Sequence, residues 1–227
     1  MTYTVQKRLM TLKNLICRMF YFIKTPKWVQ KVFRKRIWSI KTDKKELFLS
    51  FDDGPHPEHT PFVLDELKKH NAKATFFCIG KNVLAYPNIY RRIIEEGHAV
   101  GNHTNDHLNA GNTADALYLQ NISLASQYID SDLFRPPYGR ISGFLVEQLL
   151  QPAFNLTTIM WTVLSGDFDN AVSKEQCLQN VLLNVEAGSI IVFHDSEKAS
   201  EKVRYALPGI LAYFTTKGFE FKAISLN

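Results

Sequence analysis

From residue 46 onward the chain alternates short apolar runs with amphipathic stretches, and this alternation restricts its fold more than any other feature. Residues 47–51, 75–79, 99–102, 156–161 and 189–194 are rich in Ile, Val, Phe or Thr and close on turn or polar residues, the pattern of strands. Residues 61–71, 87–96, 113–129, 142–150, 174–185 and 202–217 read as helices. The punctuation agrees: Thr60 before Pro61 is a good helix start, and Gly97 and Gly218 are good stops. Alternation of this kind implies parallel strands with helices outside, as a barrel or a doubly wound sheet. With 45% hydrophobic and 22% charged residues among 227, the chain can fill one substantial core and does not read as disordered. No internal repeat or long Gly/Ser linker interrupts residues 46–227, so one domain is expected there.

The unusual polar residues fall at carboxyl ends of the expected strands, where barrels and open α/β sheets place their chemistry. Asp52 and Asp53 follow the first strand. Two adjacent carboxylates repel each other unless a cation accompanies them, and on a strand they diverge unless the Gly54-Pro55 turn re-aims them. His103 follows the third strand, with His107 four residues on. Imidazoles at that spacing meet on one face of a helical turn, where one divalent ion could bind both. With a carboxylate such as Asp53 they would make a two-His, one-carboxylate set that leaves positions open for water and substrate. The same stretch is a near miss to the inverted zinc-protease pattern His-x-x-Glu-His, with Asp106 where Glu belongs. In Phe134-Arg135-Pro136-Pro137-Tyr138-Gly139 two prolines stiffen a loop that could hold Arg135 against a carboxylate. His194 ends a strand of hydrophobic residues, where a histidine near a carboxylate can exchange protons near neutral pH.

Charge divides the chain in two. Residues 1–45 carry 13 Lys and Arg against the single acid Asp43, and the remainder holds 14 basic and 21 acidic residues, so a net +12 arm precedes a net −7 body. Within the arm Val5, Leu9, Leu12, Ile16, Met19 and Ile23 recur at helical spacing with Lys7, Arg8 and Lys13 off that stripe, and Pro26 ends it. A basic amphipathic helix over residues 1–24 could lie on a membrane surface or pack its stripe on the body. Nucleic acid is not expected as a partner, because no aromatic-studded recognition motif accompanies the cations. No run of 18 uncharged apolar residues and no small-residue cleavage site occurs, so neither a conventional span nor a cleavable signal peptide is expected. A cytoplasmic or membrane-surface location follows as an expectation. Cys17, Cys78 and Cys177 are too few and too scattered for a disulfide framework and read as free thiols. Oligomeric state leaves no sequence signal.

Taken together and in order, Leu49-Ser50-Phe51-Asp52-Asp53-Gly54-Pro55, His103-Thr104-Asn105-Asp106-His107, Arg135-Pro136-Pro137-Tyr138-Gly139, the stretch from Trp161 to Phe168 and Val192-Phe193-His194 resemble the polysaccharide deacetylases, the metal-dependent carbohydrate esterases of family four. The resemblance spans about residues 46–224 and leaves the arm outside. It implies a distorted, incomplete (β/α) barrel of about seven parallel strands with helices outside, which hydrolyses N-acetyl or, less often, O-acetyl groups on a carbohydrate. It further implies that Asp53, His103 and His107 hold a divalent metal, usually zinc. Asp52 would be the general base with Arg135 as its ion-pair partner, and His194 the general acid oriented by Asp167. The Tyr138 backbone N–H would help to hold the oxyanion, and Pro136, Trp161 and Val192 would line the sugar site. The partner the resemblance implies is an acetylated glycan of GlcNAc type or its precursor. Two departures stand out: Leu164 lies where many relatives have an acid, and Phe168 where they have tryptophan. The rival without catalysis, a carbohydrate-binding barrel, has no need for a general acid and base together.

Overall fold

A computed structural model of the protein describes residues 21–226. Of the helical stripe expected from Val5 to Ile23, the positions up to Met19 lie outside them; residues 21–24 form no helix, because Ile23 instead accepts a backbone hydrogen bond from Leu164. The chain enters through a short helix, α1 (Lys27–Val32), and then alternates β1 (Glu46–Asp52), α2 (His59–Lys69), β2 (Ala74–Cys78), α3 (Gly80–Ala85), α4 (Pro87–Glu95), β3 (Ala99–Asn102), α5 (Asp115–Ala125), β4 (Leu133–Phe134), α6 (Gly143–Leu149), β5 (Thr157–Thr158), β6 (Val163–Leu164), α7 (Lys174–Leu182), β7 (Ile190–His194), α8 (Ser200–Thr216) and β8 (Glu220–Phe221). Seven strands form one curled path, β5-β4-β3-β2-β1-β7-β6, and β8 pairs with the start of β1. Every pair within that sheet is parallel, as strand-helix alternation requires. The result is a distorted, incomplete (β/α) barrel.

Alternation along β1 separates two cores. Leu47, Leu49 and Phe51 point outward, where they pack with Val63, Leu64 and Leu67 of α2 and with Val203, Leu207, Ile210 and Leu211 of α8. Burial of each such side chain stabilises the fold by roughly 1.5–3 kcal/mol. Phe48, Ser50 and Asp52 point inward. Phe48 joins Phe77, Leu133, Ile159 and Ile190 in an apolar filling of the barrel. The parallel register then sets the polar end: Ser50 lies beside Val192 and Asp52 beside His194, so all four side chains share the inner face.

The open seam of the barrel is covered by the basic segment. β5 and β6 are the two ends of the sheet path and only residues 159–162 separate them in sequence. On the β6 side, Thr25 N–H donates to Thr162 O (2.8 Å) and Leu164 N–H to Ile23 O (2.9 Å). On the β5 side, Ile37 N–H donates to Thr158 O (2.9 Å) and Met160 N–H to Ile37 O (2.7 Å). Both strand edges, which would otherwise be open to pairing with another chain, are thereby blocked. The strand expected over 156–161 is cut to Thr157–Thr158 for a related reason: the carbonyls of Ile159 and Met160 turn inward to accept hydrogen bonds from the Arg135 guanidinium. Among the described residues no helix is long and apolar enough to cross a membrane.

Candidate active site

β1 delivers two carboxylates to different surroundings. Asp52 is the last residue of the strand and is buried. Arg135, fully buried as well, reaches it from the loop after β4, and its Nη1 donates to Asp52 Oδ1 and to Ser50 Oγ, each at 2.7 Å. The rest of the guanidinium is used too: Nε donates to Ile159 O (3.3 Å), Nη2 to Met160 O (3.2 Å), and the plane lies over the Phe77 ring at 4.0 Å. Gly101 makes room for that ring, since a Cβ there would sit 2.5 Å from it. An arginine satisfied this fully is a permanent counter-charge inside the barrel.

Asp53 is re-aimed by its own backbone, which adopts φ 80°, so that its carboxylate faces the mouth and not the outer face of β1. There its Oδ1 lies 3.1 Å from His107 Nε2 and 3.6 Å from His103 Nε2. Neither approach has hydrogen-bond geometry, and Oδ1 is left buried without a partner. Burial works to raise the Asp53 carboxyl, but the imidazoles of His103 and His107, with His194 adding, outweigh it and hold it well below the usual carboxylate range.

The two histidines do not meet on a helical turn, as their spacing suggested. Residues 103–108 form no helix, and Thr104 (φ 64°) and His107 (φ 57°) adopt left-handed conformations. Side chains take the N–H groups that a helix would have used internally: Thr104 N–H donates to Asn102 Oδ1 (2.8 Å), and the N–H groups of Asn105 and Asp106 donate to Asn121 Oδ1 (2.9 and 3.0 Å). The loop still converges, with the two rings 5.2 Å apart between centroids. Asp106 turns away to Asn105 and Asn121, so the inverted zinc-protease pattern has neither its helix nor its acid in place.

His103 Nδ1 contacts Arg135 O at 2.8 Å, an acceptor that fixes a proton on Nδ1 and leaves Nε2 as the ring atom turned toward Asp53. The ligand atoms of Asp53, His103 and His107 all lie within 4.8 Å of one another. A buried, unpartnered carboxylate oxygen flanked by two imidazole nitrogens fits a divalent cation. A second cluster, His56, His59 and Glu197, is different. His56 Nδ1 accepts the N–H groups of Glu58 and His59, and His59 Nε2 pairs with Glu197 at 2.7 Å, so these ligand atoms tie the start of α2 to the segment after β7.

His194 ends β7 beside Asp52. Its Nδ1 contacts Asp167 Oδ1 at 2.8 Å and its backbone N–H donates to Asp167 Oδ2 at 2.6 Å. Burial opposes the imidazolium, yet the Asp167 carboxylate outweighs it, with Asp53 and Asp52 adding, and raises the His194 pKa to about 10. Phe168 covers this ring edge-on at 5.3 Å and is itself covered by Tyr21 at 5.2 Å. Opposite, Tyr138 sits at φ 60° with its ring 4.7 Å from His107. Gly139, at φ 66°, lets Trp161 approach to where a Cβ would be 2.5 Å away. Pro136 and Val192 are buried, and Trp161 is partly exposed.

The structure therefore brings Asp53, His103, His107 and His194 to one mouth, with Asp52 and Arg135 in the interior just beneath it and Asp167 behind His194. Missed were Ser50, Asn102, Asn121, Thr60 and Asp195. Ser50 was within reach, because it lies two positions before Asp52 on the same strand face. Asp195 is buried beside Thr60, whose hydroxyl donates to Oδ2, and burial pushes its carboxyl up to about 7. Asn121 comes from α5, and no local pattern announces its role.

The family model described as polysaccharide deacetylase matches residues 39–153. A peptidoglycan-N-acetylglucosamine deacetylase of Bacillus cereus is 31% identical over 193 residues, covering 83% of this chain and 90% of that protein. A chitooligosaccharide deacetylase of Azorhizobium caulinodans is 34% identical over 177 residues, covering 75% and 83%. The crystal structure of a peptidoglycan N-acetylglucosamine deacetylase superposes with a TM-score of 0.79 at 34% identity, covering 88% of this chain and 95% of that one. On the match of sequence and fold, the chain belongs to the polysaccharide deacetylase family.

Proposed function

We propose that the protein removes acetyl groups from N-acetylglucosamine-type residues of a glycan and releases acetate, with zinc held by Asp53, His103 and His107. The observation that carries this reading is the division of labour around one mouth: a carboxylate neutralised by a buried arginine, an unpaired carboxylate between two imidazoles, and a histidine backed by a third carboxylate. Two imidazoles and one carboxylate suit zinc, and the arrangement leaves sites open for water and substrate. The ion, when bound, would polarise the acetyl carbonyl and make water more acidic.

The chain's own groups supply the remainder. Asp52 takes the proton from the attacking water, and Arg135 supplies its counter-charge and keeps it aimed. As the carbonyl carbon becomes tetrahedral, the Tyr138 backbone N–H donates to its oxygen, an interaction typically worth about 3–4 kcal/mol in such sites. The C–N bond then breaks as His194 Nε2 gives its proton to the departing amine. Asp167 holds the Nδ1 proton and thereby the ring's orientation. Trp161, Pro136 and Val192 would line the sugar. Leu164 is buried, so the position offers no charge to the substrate.

Peptidoglycan and chitooligosaccharides are the substrates named for the similar proteins, and both contain N-acetylglucosamine. The test is acetate release from a panel of N-acetylglucosamine oligomers and from peptidoglycan. Turnover that a chelator abolishes and Zn²⁺ restores is expected. Absence of acetate from every member, with metal bound, would overturn the reading.

A further inference from the structure

Helix α1 and the turn after it contribute nothing to the core: no residue of α1 is buried. Instead they present large apolar side chains to the outside. Trp28 is 63% exposed and Val32, one turn on and on the same face, is 64% exposed. Phe22 (53%) and Phe33 (42%) flank them, and Phe144 (54%) stands across a shallow groove shared by Val32, Phe33, Gly143 and Val146. Scattered single apolar residues would need no explanation, but five on one short segment and its neighbour form a patch.

The cations around that patch divide into two kinds. Lys24 pairs with Glu186 and Lys35 with Glu147, while Arg36 donates to Ile141 O (2.8 Å) and lies over the Phe33 ring. Those three fasten the segment to the body. Lys27, Lys31 and Arg34 are exposed and have no acidic partner among the described residues. Between Lys24 and Arg36 the sequence has six cations and no acid, in front of a body with a net charge of −7. The segment also runs from one wall of the mouth to the other: Tyr21 touches Phe168 beside His194, and Arg36 grips Ile141 three residues after Tyr138.

We propose that residues 22–36, with Phe144, form a docking surface for an anionic lipid bilayer, with Trp28 and Val32 entering the headgroup boundary and Lys27, Lys31 and Arg34 meeting the lipid charge. Indole rings favour that boundary, and a branched aliphatic such as Val32 gains from acyl chains and not from a sugar face. A polyanionic glycan would use the cations but leave Val32 and Phe144 in water. Because the segment that carries the patch is anchored at both walls of the mouth, through Tyr21 and Arg36, docking would hold the catalytic opening close to the surface.

The direct test uses the full chain and vesicles of phosphatidylcholine with about 30% phosphatidylglycerol, the lipids carrying brominated acyl chains that quench tryptophan on contact. Trp38 is buried and Trp161 is partly exposed at the mouth, so the signal that reports on the patch is the part of the quenching that Trp28→Phe removes. Quenching in the wild type that falls markedly in Trp28→Phe is expected, and equal quenching in both, or none in either, overturns the proposal. The triple variant Lys27→Glu, Lys31→Glu, Arg34→Glu should weaken this Trp28 quenching by about 100-fold in lipid concentration, since each cation near an anionic surface contributes about 1 kcal/mol. Undiminished quenching would overturn it as well. If the triple variant instead loses only its binding to insoluble peptidoglycan, the surface serves the polymer and the lipid proposal falls. Acetate release from a short soluble oligosaccharide should be the same in all these variants, which keeps this test separate from that of the catalytic reading.

Discussion

Asp52 and Asp53 are adjacent and chemically identical, yet they belong to two regions with opposite logic. Asp52 stands in the barrel interior, where Arg135, Ser50 and Phe77 form a closed arrangement and every guanidinium nitrogen has an acceptor. Asp53 stands in the mouth, where one carboxylate oxygen has no partner and two imidazoles wait beside it. The interior gives its carboxylate a buried counter-charge and leaves no place for an exchangeable ligand, as the proposed base requires. The mouth holds one whose unsatisfied oxygen calls for a cation from outside. One backbone reversal, φ 80° at Asp53, separates the two.

The comparison breaks most visibly at Arg135. Arg135→Met leaves Asp52 buried without its cation and should cost about 3–5 kcal/mol of stability in denaturant titrations, with Arg135→Met/Asp52→Asn recovering much of it. A cost under about 1 kcal/mol would mean that the interior is not the closed unit described. At the mouth the expectation reverses. The wild type should gain about 2.7 kcal/mol at an ion concentration 100 times Kd, and His107→Ala should lose that gain in a thermal melt while changing the ion-free protein little. A smaller effect sharpens the boundary between the regions. In Asp167→Asn, His194 loses the carboxylate that outweighs burial, so its pKa falls. Because the protonated form is the one that donates, the alkaline limb of the kcat profile should then move to lower pH, on the order of a unit or more. An unmoved limb would detach Asp167 from the proton transfer.

Much of this was legible in the sequence, for identifiable reasons. β1, β2, β3 and β7 are long enough to show apolar runs, and they carry or adjoin Asp52, His103 and His194. β4, β6 and β8 have two residues each and give no period, so the strands that complete the barrel went unread. The spacing of His103 and His107 correctly brought the rings together but suggested the wrong backbone, because Asn121 stabilises the left-handed loop from 14 or more residues away in sequence. The basic segment read as an arm from its charge alone. Its backbone pairing with β6 and with the end of β5 depends on seam geometry that no local pattern encodes.

The most direct measurement is made on Asp52→Asn, with bound zinc and acetate release determined on the same preparation. If the two carboxylates divide base and ligand as described, the variant binds one equivalent of zinc as tightly as the wild type and loses turnover by about 10²- to 10⁴-fold. Turnover near the wild-type level, or loss of the metal together with activity, would contradict that division.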